Sequence, residues 1–302
     1  MISVIIPTCD RAPVLDRCLR ALRDVKGIEG CEVIVVDDGS ADSTPQVIAR
    51  HAESFPVLRP LRQENQGPGR ARNAGMAQAG GDVFLFLDDD VFASPGLLDA
   101  HVALLDAGAD VSQGRLEWHP ELAGSPVLRF MDRHGMQFVQ EGYAHGRPVS
   151  FLHVYTANLC VRADVLRSVR FDDAFAARRY AFEDTALAYR LHRAGARLLF
   201  NAAAHALHYH PIDETQLVAR ERKVGYASQI LASSYPEIAV AAGMRAFSLF
   251  DLLQAGVLAG LMGLGMDACA GFELRLRLRC REAFLRGALD YTLEQRRKGG
   301  SA

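Results

Sequence analysis

Residues 83–92 read VFLFLDDDVF. Five apolar residues run straight into Asp88, Asp89 and Asp90, and two more apolar residues follow. A short continuous apolar run of this kind is the pattern of a strand buried on both faces, which belongs in a parallel sheet covered by helices. Ligands bind such sheets beyond the carboxyl ends of the strands. Adjacent carboxylates repel one another, and staying ionised calls for a compensating cation. Mg²⁺ or Mn²⁺ would supply it, since both favour carboxylate oxygens held together with phosphate and water. In extended chain the side chains alternate, so Asp88 and Asp90 are expected on one side and Asp89 on the other. A merely solvated acidic turn is the plain alternative. It loses ground because a second acidic strand end, VIVVDDGSADST at residues 33–44, puts Asp37 and Asp38 in the equivalent place.

The flanking sequence continues the alternation of strand and helix. Ile2–Ile6 is a β-branched run closed by Pro7, and Pro13–Val25 carries Leu15, Cys18, Leu19, Leu22 and Val25 at helical spacing. Val33–Val36 reads as a second buried strand, with a helix from Pro45 to Ala52 after it. A short strand over Val57–Leu61 and a helix over Ala71–Ala79 lead into the strand Val83–Leu87. Ser94–Pro95 then opens a helix reaching Asp106. Residues 116–150 lose all periodicity, which suggests a binding loop or lid. Strand character returns over Phe151–Val161, a helix is expected over Glu183–Ala194, and Leu198–Asn201 and His205–His210 read as extended pieces. After Pro211 the chain reads as helical. The expected organisation is therefore an α/β domain over 1–211 and a helical C-terminal extension over 212–302.

Composition fits this reading. The chain has 302 residues, 49% of them apolar, and a formal net charge of −2, so no overall field favours nucleic acid. Six cysteines are scattered singly with no CxxC pair, which argues for reduced thiols rather than a disulfide framework or a zinc site. MISVIIP is too short an apolar run for a signal peptide, and a cytoplasmic protein is expected.

Between the acidic strand ends lies ENQGPGRARNAGMAQAGGD, where Gly67 and Gly69 would allow close backbone approach and Arg70 and Arg72 could meet phosphate oxygens. It is not the dinucleotide fingerprint, because the third glycine is missing and the first strand does not precede it. Glu183 and Asp184 are adjacent near a helix start, so their side chains diverge by about 100° and only one is expected to face a substrate hydroxyl. His208 and His210 share one face of an extended segment. Trp118, His119, Met131 and His134 lie in the irregular region and read either as an acceptor platform or as loop anchors.

In order, the chain carries SVIIPTCDR, EVIVVDDGSADST, NQGPGRARNAGMAQAGGDVFLFLDDDV, TANLCVRADVL with RFDDAF, FEDTALAYRLHRAG and HALHYHP. This ordered series resembles the family-two glycosyltransferases of GT-A fold, over roughly residues 2–210. The resemblance implies a mostly parallel central sheet with helices on both faces. It also implies an inverting, divalent-metal-dependent transferase of the hexosyltransferase type, with Mn²⁺ or Mg²⁺ as cofactor. A nucleoside-diphosphate sugar, UDP-linked in the first instance, would donate to a glycan, lipid-linked or small-molecule acceptor, as in polysaccharide and cell-envelope synthesis.

Carried over residue by residue, the resemblance gives Asp184 as catalytic base with Glu183 beside it. It gives Pro7, Thr8, Asp10, Arg11, Asp37, Asp38, Gly67, Arg72, Asn73, Asp88 and Asp89 as nucleotide-sugar contacts. Asp88, Asp90 and His208 would hold the metal, with His210 the alternative histidine. Trp118, Asn158 and His210 are acceptor candidates. Residues 1–115 would form the nucleotide-sugar half and 116–211 the acceptor and base half. Many relatives have Asn where Asp10 stands and a further acid where Val91 stands. A sugar nucleotidyltransferase is the rival enzyme, but PTCDRAP stands where its basic glycine-rich loop would follow the first strand. A non-catalytic nucleotide-sugar binder is the third reading, and the filled acidic positions count against it.

Leu252–Met266 is uncharged and glycine-rich but shorter than the roughly 20 residues that span a bilayer. Next to it, residues 272–300 are dense in arginine. A solvated charged face or a contact with a second copy of the chain is the default expectation. Peripheral contact with the inner face of a membrane through 252–298 is the alternative.

Overall fold

The structure is a computed structural model describing residues 1–176, 181–242, 248–264 and 270–299. Its first half follows the apolar runs. Strands β1 (Ile2–Thr8), β2 (Cys31–Asp37), β3 (Leu58–Arg62) and β4 (Val83–Leu87) lie parallel in the order β3-β2-β1-β4. Their crossovers carry helices α1 (Ala12–Arg23), α2 (Thr44–His51) and α3 (Pro68–Gln78). Parallel neighbours require such crossovers, and helices on both faces explain why β1, β2 and β4 are mostly apolar, while the edge strand β3 carries the arginines Arg59 and Arg62. Helix α1 buries Leu15, Cys18, Leu19 and Leu22, the spacing seen in the sequence. In the β1–β2 register Thr8 stands opposite Asp37, and β4 flanks β1 on its other side. The acidic ends of β2 and β4 therefore emerge at one edge of the sheet, on either side of β1.

The second half completes the expected sheet, in which four of the seven strand pairings among the described residues are parallel. It adds β5 (Val91–Ala93), β6 (Val111–Trp118), β7 (Asn158–Arg162) and β8 (Leu198–His208) to give the order β3-β2-β1-β4-β7-β6-β8-β5. Strand β7 is antiparallel to both β4 and β6, and β5 is antiparallel to β8, so the sheet is mixed. The two extended pieces read around His205 are one strand. A register shift opposite Gly114 and Arg115 leaves Ala202–Ala204 unpaired, which is why the sequence pattern breaks there. Strand β5 places Val91 opposite His208, bringing that histidine to the aspartates that precede Val91.

The 116–150 stretch is not structureless. Strand β6 runs through Trp118, and Ser125 Oγ accepts from Leu128 N to cap helix α5 (Pro126–Arg133), which buries Val127, Leu128, Phe130 and Met131. Eight residues are too few to establish helical periodicity among prolines and glycines. The strand expected over Phe151–Val161 is confined to β7, after a short 3₁₀ turn at Phe151–His153. Helix α4 (Leu97–Asp106) buries His101, whose ring nitrogens meet Ser112 Oγ at 2.8 Å and Asn158 Oδ1 at 2.9 Å. Burial pushes this imidazole down to about 4, so it is a neutral tie between α4, β6 and β7. Helix α6 (Glu183–Arg193) precedes β8. The five cysteines among the described residues are free; Cys269 lies outside them.

Helices α7 (Glu214–Ser234), α8 (Pro236–Ala241), α9 (Leu249–Gly263) and α10 (Phe272–Gly299) follow. They continue the core of the α/β part, since Leu217, Leu276 and Cys280 pack in one cluster with Leu128 and Met131 of α5. The expected division near 211 is thus a change of architecture that a hydrophobic cluster crosses. Helices α7 and α10 meet at two glycines. A Cβ on Gly225 would lie 1.9 Å from Phe284 O, and one on Gly287 would lie 1.8 Å from Arg222 O. No side chain fits between backbones this close. Gly287→Ala is expected to lower unfolding free energy by about 2 kcal/mol or more, seen as an earlier urea midpoint at unchanged slope. An unmoved midpoint would mean the helices separate without cost.

Candidate active site

Two loops form the rim on the β2 side. Asp37 accepts from Ser40 N at 2.8 Å and from Arg62 Nη1 at 2.6 Å. Asp38 is buried, and accepts from Gln63 Nε2 at 2.7 Å, Gln66 N at 2.9 Å and Gly67 N at 2.8 Å. Its carboxylate therefore fastens the loop that opens α3. Gly67 has φ 89°, a left-handed conformation that favours glycine. Asp10 is also left-handed at φ 53°, and its carboxylate accepts from Ala41 N and Asp42 N while its own N donates to Ser40 Oγ. It ties the end of β1 to the loop after β2. Pro7 is buried in β1, paired with Val36.

The three aspartates diverge. Asp88 Oδ1 accepts from Arg72 Nη2 at 2.7 Å. Asp89 accepts from Thr8 Oγ1 at 2.6 Å and faces Arg11 Nε at 3.3 Å. Asp90 meets Arg11 Nη2 at 2.6 Å, His208 Nε2 at 3.1 Å and His210 Nδ1 at 3.1 Å. The expected Asp88–Asp90 pair is therefore split, because Val91 N donates to Asp88 O and turns the chain where extended geometry had been assumed. Asp90, His208 and His210 instead form one group whose ligand atoms all lie within 4.8 Å of one another. The two imidazoles stack with planes 1° apart. Burial opposes ionisation of Asp90, yet His208, His210 and Arg11 together hold it well below the usual carboxylate range. Burial raises Asp89 to about 7 even with Arg11 beside it.

The other wall comes from α6. Phe182, in the left-handed region at φ 66°, redirects the chain so that Glu183 and Asp184 start the helix side by side. Arg72, only 3% exposed, bridges Asp88 to Glu183 Oε1 at 3.5 Å and lies 5.5 Å from the centre of the Phe171 ring. It links the aspartate turn to the start of α6 rather than standing free for a diphosphate. Asn73 clamps Phe171 by two hydrogen bonds, Nδ2 to Phe171 O and Phe171 N to Oδ1, and so buttresses this wall instead of pointing to a phosphate. Glu183 is engaged by Arg72. Asp184 Oδ1 accepts from Thr185 N at 2.8 Å, and Oδ2 has no hydrogen-bond partner among the described residues. Burial, then the neighbouring Glu183 charge, pushes Asp184 up to about 7. Glu183 is raised by burial and held back by Arg72.

Trp118 stands at the end of β6 with its ring 5.2 Å from that of His208, and its Nε1 donates to Asp132. Phe138, left-handed at φ 50°, packs at 5.0 Å on the same histidine and at 5.4 Å on Tyr155. Sequence reading missed Phe138 and Tyr155, since neither has a periodic neighbourhood to mark it. Asn158 is not an acceptor contact. It is fully buried, takes His101 on Oδ1, and donates through Nδ2 to Arg115 O and Ala204 O. His134 packs on Phe130, outside the group around Asp90.

The profile of glycosyl transferase family 2 matches residues 3–147. The chain is 28% identical over 291 residues to the pre-mycofactocin glycosyltransferase of Mycobacterium tuberculosis, covering 93% of this chain and 58% of that protein. It is 32% identical over 222 residues to the validoxylamine A glucosyltransferase of Streptomyces hygroscopicus subsp. jinggangensis, covering 65% of this chain and 52% of that one. The chain thus spans a little over half the length of these curated relatives. Among solved structures it superimposes on the mannosyltransferase PcManGT from Pyrobaculum calidifontis, in complex with GDP-Man and Mn²⁺, with TM-score 0.62, 18% identity, and 97% and 87% of the two chains covered. Residues 1–349 of S. aureus TarS, in complex with UDP, give TM-score 0.57, 20% identity, and 97% and 91% covered.

Proposed function

We propose that this chain, whose residues 3–147 match the profile of glycosyl transferase family 2 and whose fold is GT-A, moves a sugar from a nucleoside diphosphate to an acceptor hydroxyl with inversion. The observation that carries this reading is the ion-paired line Asp88–Arg72–Glu183. It joins the aspartate turn, where Asp90 meets His208 and His210, to the helix start bearing Asp184.

Asp184 takes the acceptor proton on Oδ2. The acceptor oxygen bonds to the anomeric carbon as the bond to the diphosphate oxygen breaks, and that electron pair leaves with the diphosphate. A carboxyl raised to about 7 is a base matched to neutral pH. Glu183, neutralised in part by Arg72, is placed for sugar or acceptor hydroxyls. Asp10, Asp37 and Asp38 shape the nucleotide rim through the loops they fasten, and Thr8 and Arg11 fix Asp89 at its floor. Trp118, Phe138 and Tyr155 wall the acceptor side.

Asp90, His208 and His210 fit a divalent cation. Asp90 is held ionised, as a ligand must be, and His208 Nε2 and His210 Nδ1 each face it at 3.1 Å, so one carboxylate and two imidazole nitrogens converge. A divalent ion bound there would act as a Lewis acid toward the leaving diphosphate. Two imidazoles favour Mn²⁺ over Mg²⁺, which takes oxygen donors. Superposition on proteins holding GDP-Man and UDP supports a nucleotide-sugar donor, with UDP-sugars the first class to test.

The test is donor hydrolysis over a panel of nucleotide sugars with Mn²⁺ or Mg²⁺. Release of nucleoside diphosphate from one donor is expected, faster with Mn²⁺, abolished by EDTA, and reduced about 10²-fold or more in His208→Ala. Pyrophosphate released from a nucleoside triphosphate and a sugar phosphate would instead identify a nucleotidyltransferase.

A further inference from the structure

Helix α9 presents an apolar stripe to solvent. Phe250, Leu253, Val257 and Leu264 are 66%, 62%, 62% and 78% exposed. With the open Gly260 they recur every three or four residues, which puts them on one helix face. The opposite face is satisfied, since Ala255 and Leu258 pack on Leu285 and Leu278 of α10. Asp251, the only charged residue of α9, is 6% exposed and closes a capping box with Ser248, so the stripe carries no acid.

Its border is basic. Arg277, Arg281 and Arg286 are exposed on α10, beside Leu278 and Leu285, where α9 packs. Arg277 has no ion pair among the described residues, whereas Arg281 reaches Gln254 at 3.1 Å and Asp251 at 3.9 Å on α9, and Arg286 pairs with Glu282. Helix α10 holds eight basic and four acidic residues in a chain whose net charge is −2.

We propose that the α9 stripe and its arginine border dock on an anionic lipid surface. No helix among the described residues is long and apolar enough to cross a membrane, so α9 would lie in the interface. Apolar side chains flanked by guanidinium groups match acyl chains beneath anionic headgroups. A second copy fits less well. A two-fold contact along α9 would bring the arginine borders together, and four side chains of this size offer on the order of 500 Å² a copy, short of the ~800 Å² per partner of a stable interface.

The test is flotation of the 302-residue chain with vesicles of phosphatidylcholine alone and of phosphatidylcholine mixed with phosphatidylglycerol. Binding is expected only with the anionic vesicles and is weakened by high salt. Phe250→Asp should abolish it at an unchanged melting temperature, and Arg277→Glu should weaken it about fivefold or more. Absence of binding to anionic vesicles would overturn the proposal. So would a dimer in lipid-free sedimentation that Phe250→Asp dissociates, because the stripe would then belong to a second copy. Soluble donor hydrolysis should be unchanged in both variants, which separates failure here from failure of the transferase reading.

Discussion

Asp184→Asn is expected to lower transfer by 10²–10⁴-fold and, at pH 8, to make the protein more stable. Both effects follow from one carboxyl. In the fold it ionises at about 7 against an ordinary 3.8, because burial and the Glu183 charge disfavour its anion. Between those values the folded chain keeps a proton that the unfolded chain has released. The stability this gives is therefore complete below about pH 4 and lost progressively as pH rises to 7. At pH 8 the wild type carries an unfavourable half-buried charge that Asn lacks. A gain of roughly 2–4 °C in Tm is expected at pH 8, shrinking steadily toward pH 4. Activity runs the other way. The base must be unprotonated, so kcat/KM should rise about tenfold per pH unit up to a midpoint near 7 and then level. Thermal melts and rate profiles across pH check both. A variant that is less stable at pH 8, or one that retains turnover, would remove Asp184 from the role of base.

The strands β1, β2 and β4 were legible because burial on both faces writes a short, nearly continuous apolar run bounded by turn residues. Helix α1 was legible because it is amphipathic over three turns. Strand β5 was not, since three residues after a turn have no pattern of their own, and its pairing with β8 is what delivers His208 to Asp90. The acidic strand ends expected from the sequence do lie together beside β1, but their internal wiring differs from the expectation. Alternation predicted that Asp88 and Asp90 act together, and a turn at Asp88–Val91 sends one to Arg72 and the other to the histidines. Asn158 sat in a suggestive motif, and only the position of His101 on α4 shows that its amide is committed inside the sheet. Long-range partners of polar residues are not encoded in local spacing, and that is where the sequence reading stopped.

Arg72→Met is expected to be the most damaging single change to the fold around the site. The guanidinium side chain is 4% exposed and stands between Asp88 at 2.7 Å and Glu183 at 3.5 Å, whose side chains are 30% and 12% exposed. Removing Arg72 leaves the largely buried Glu183 and the partly exposed Asp88 without a counter-charge, which costs about 3 kcal/mol, the lower end of the range for a fully buried pair. Methionine fills similar volume, so most of the loss is electrostatic, and pH separates the two causes. Burial already raises Glu183, with Arg72 opposing; without Arg72 it rises further and can be neutralised by mild acid. The gap between wild type and variant should therefore narrow from pH 8 to pH 5, whereas a packing defect would cost the same throughout. Arg72→Lys should fall between, since a single ammonium lacks the planar fork that reaches both carboxylates. Adding Glu183→Gln to Arg72→Met should recover part of the stability but none of the transfer activity, because the link between the aspartate turn and the Asp184 wall stays broken. Urea unfolding of the four proteins at two pH values decides the matter: a pH-independent loss would make Arg72 a packing residue.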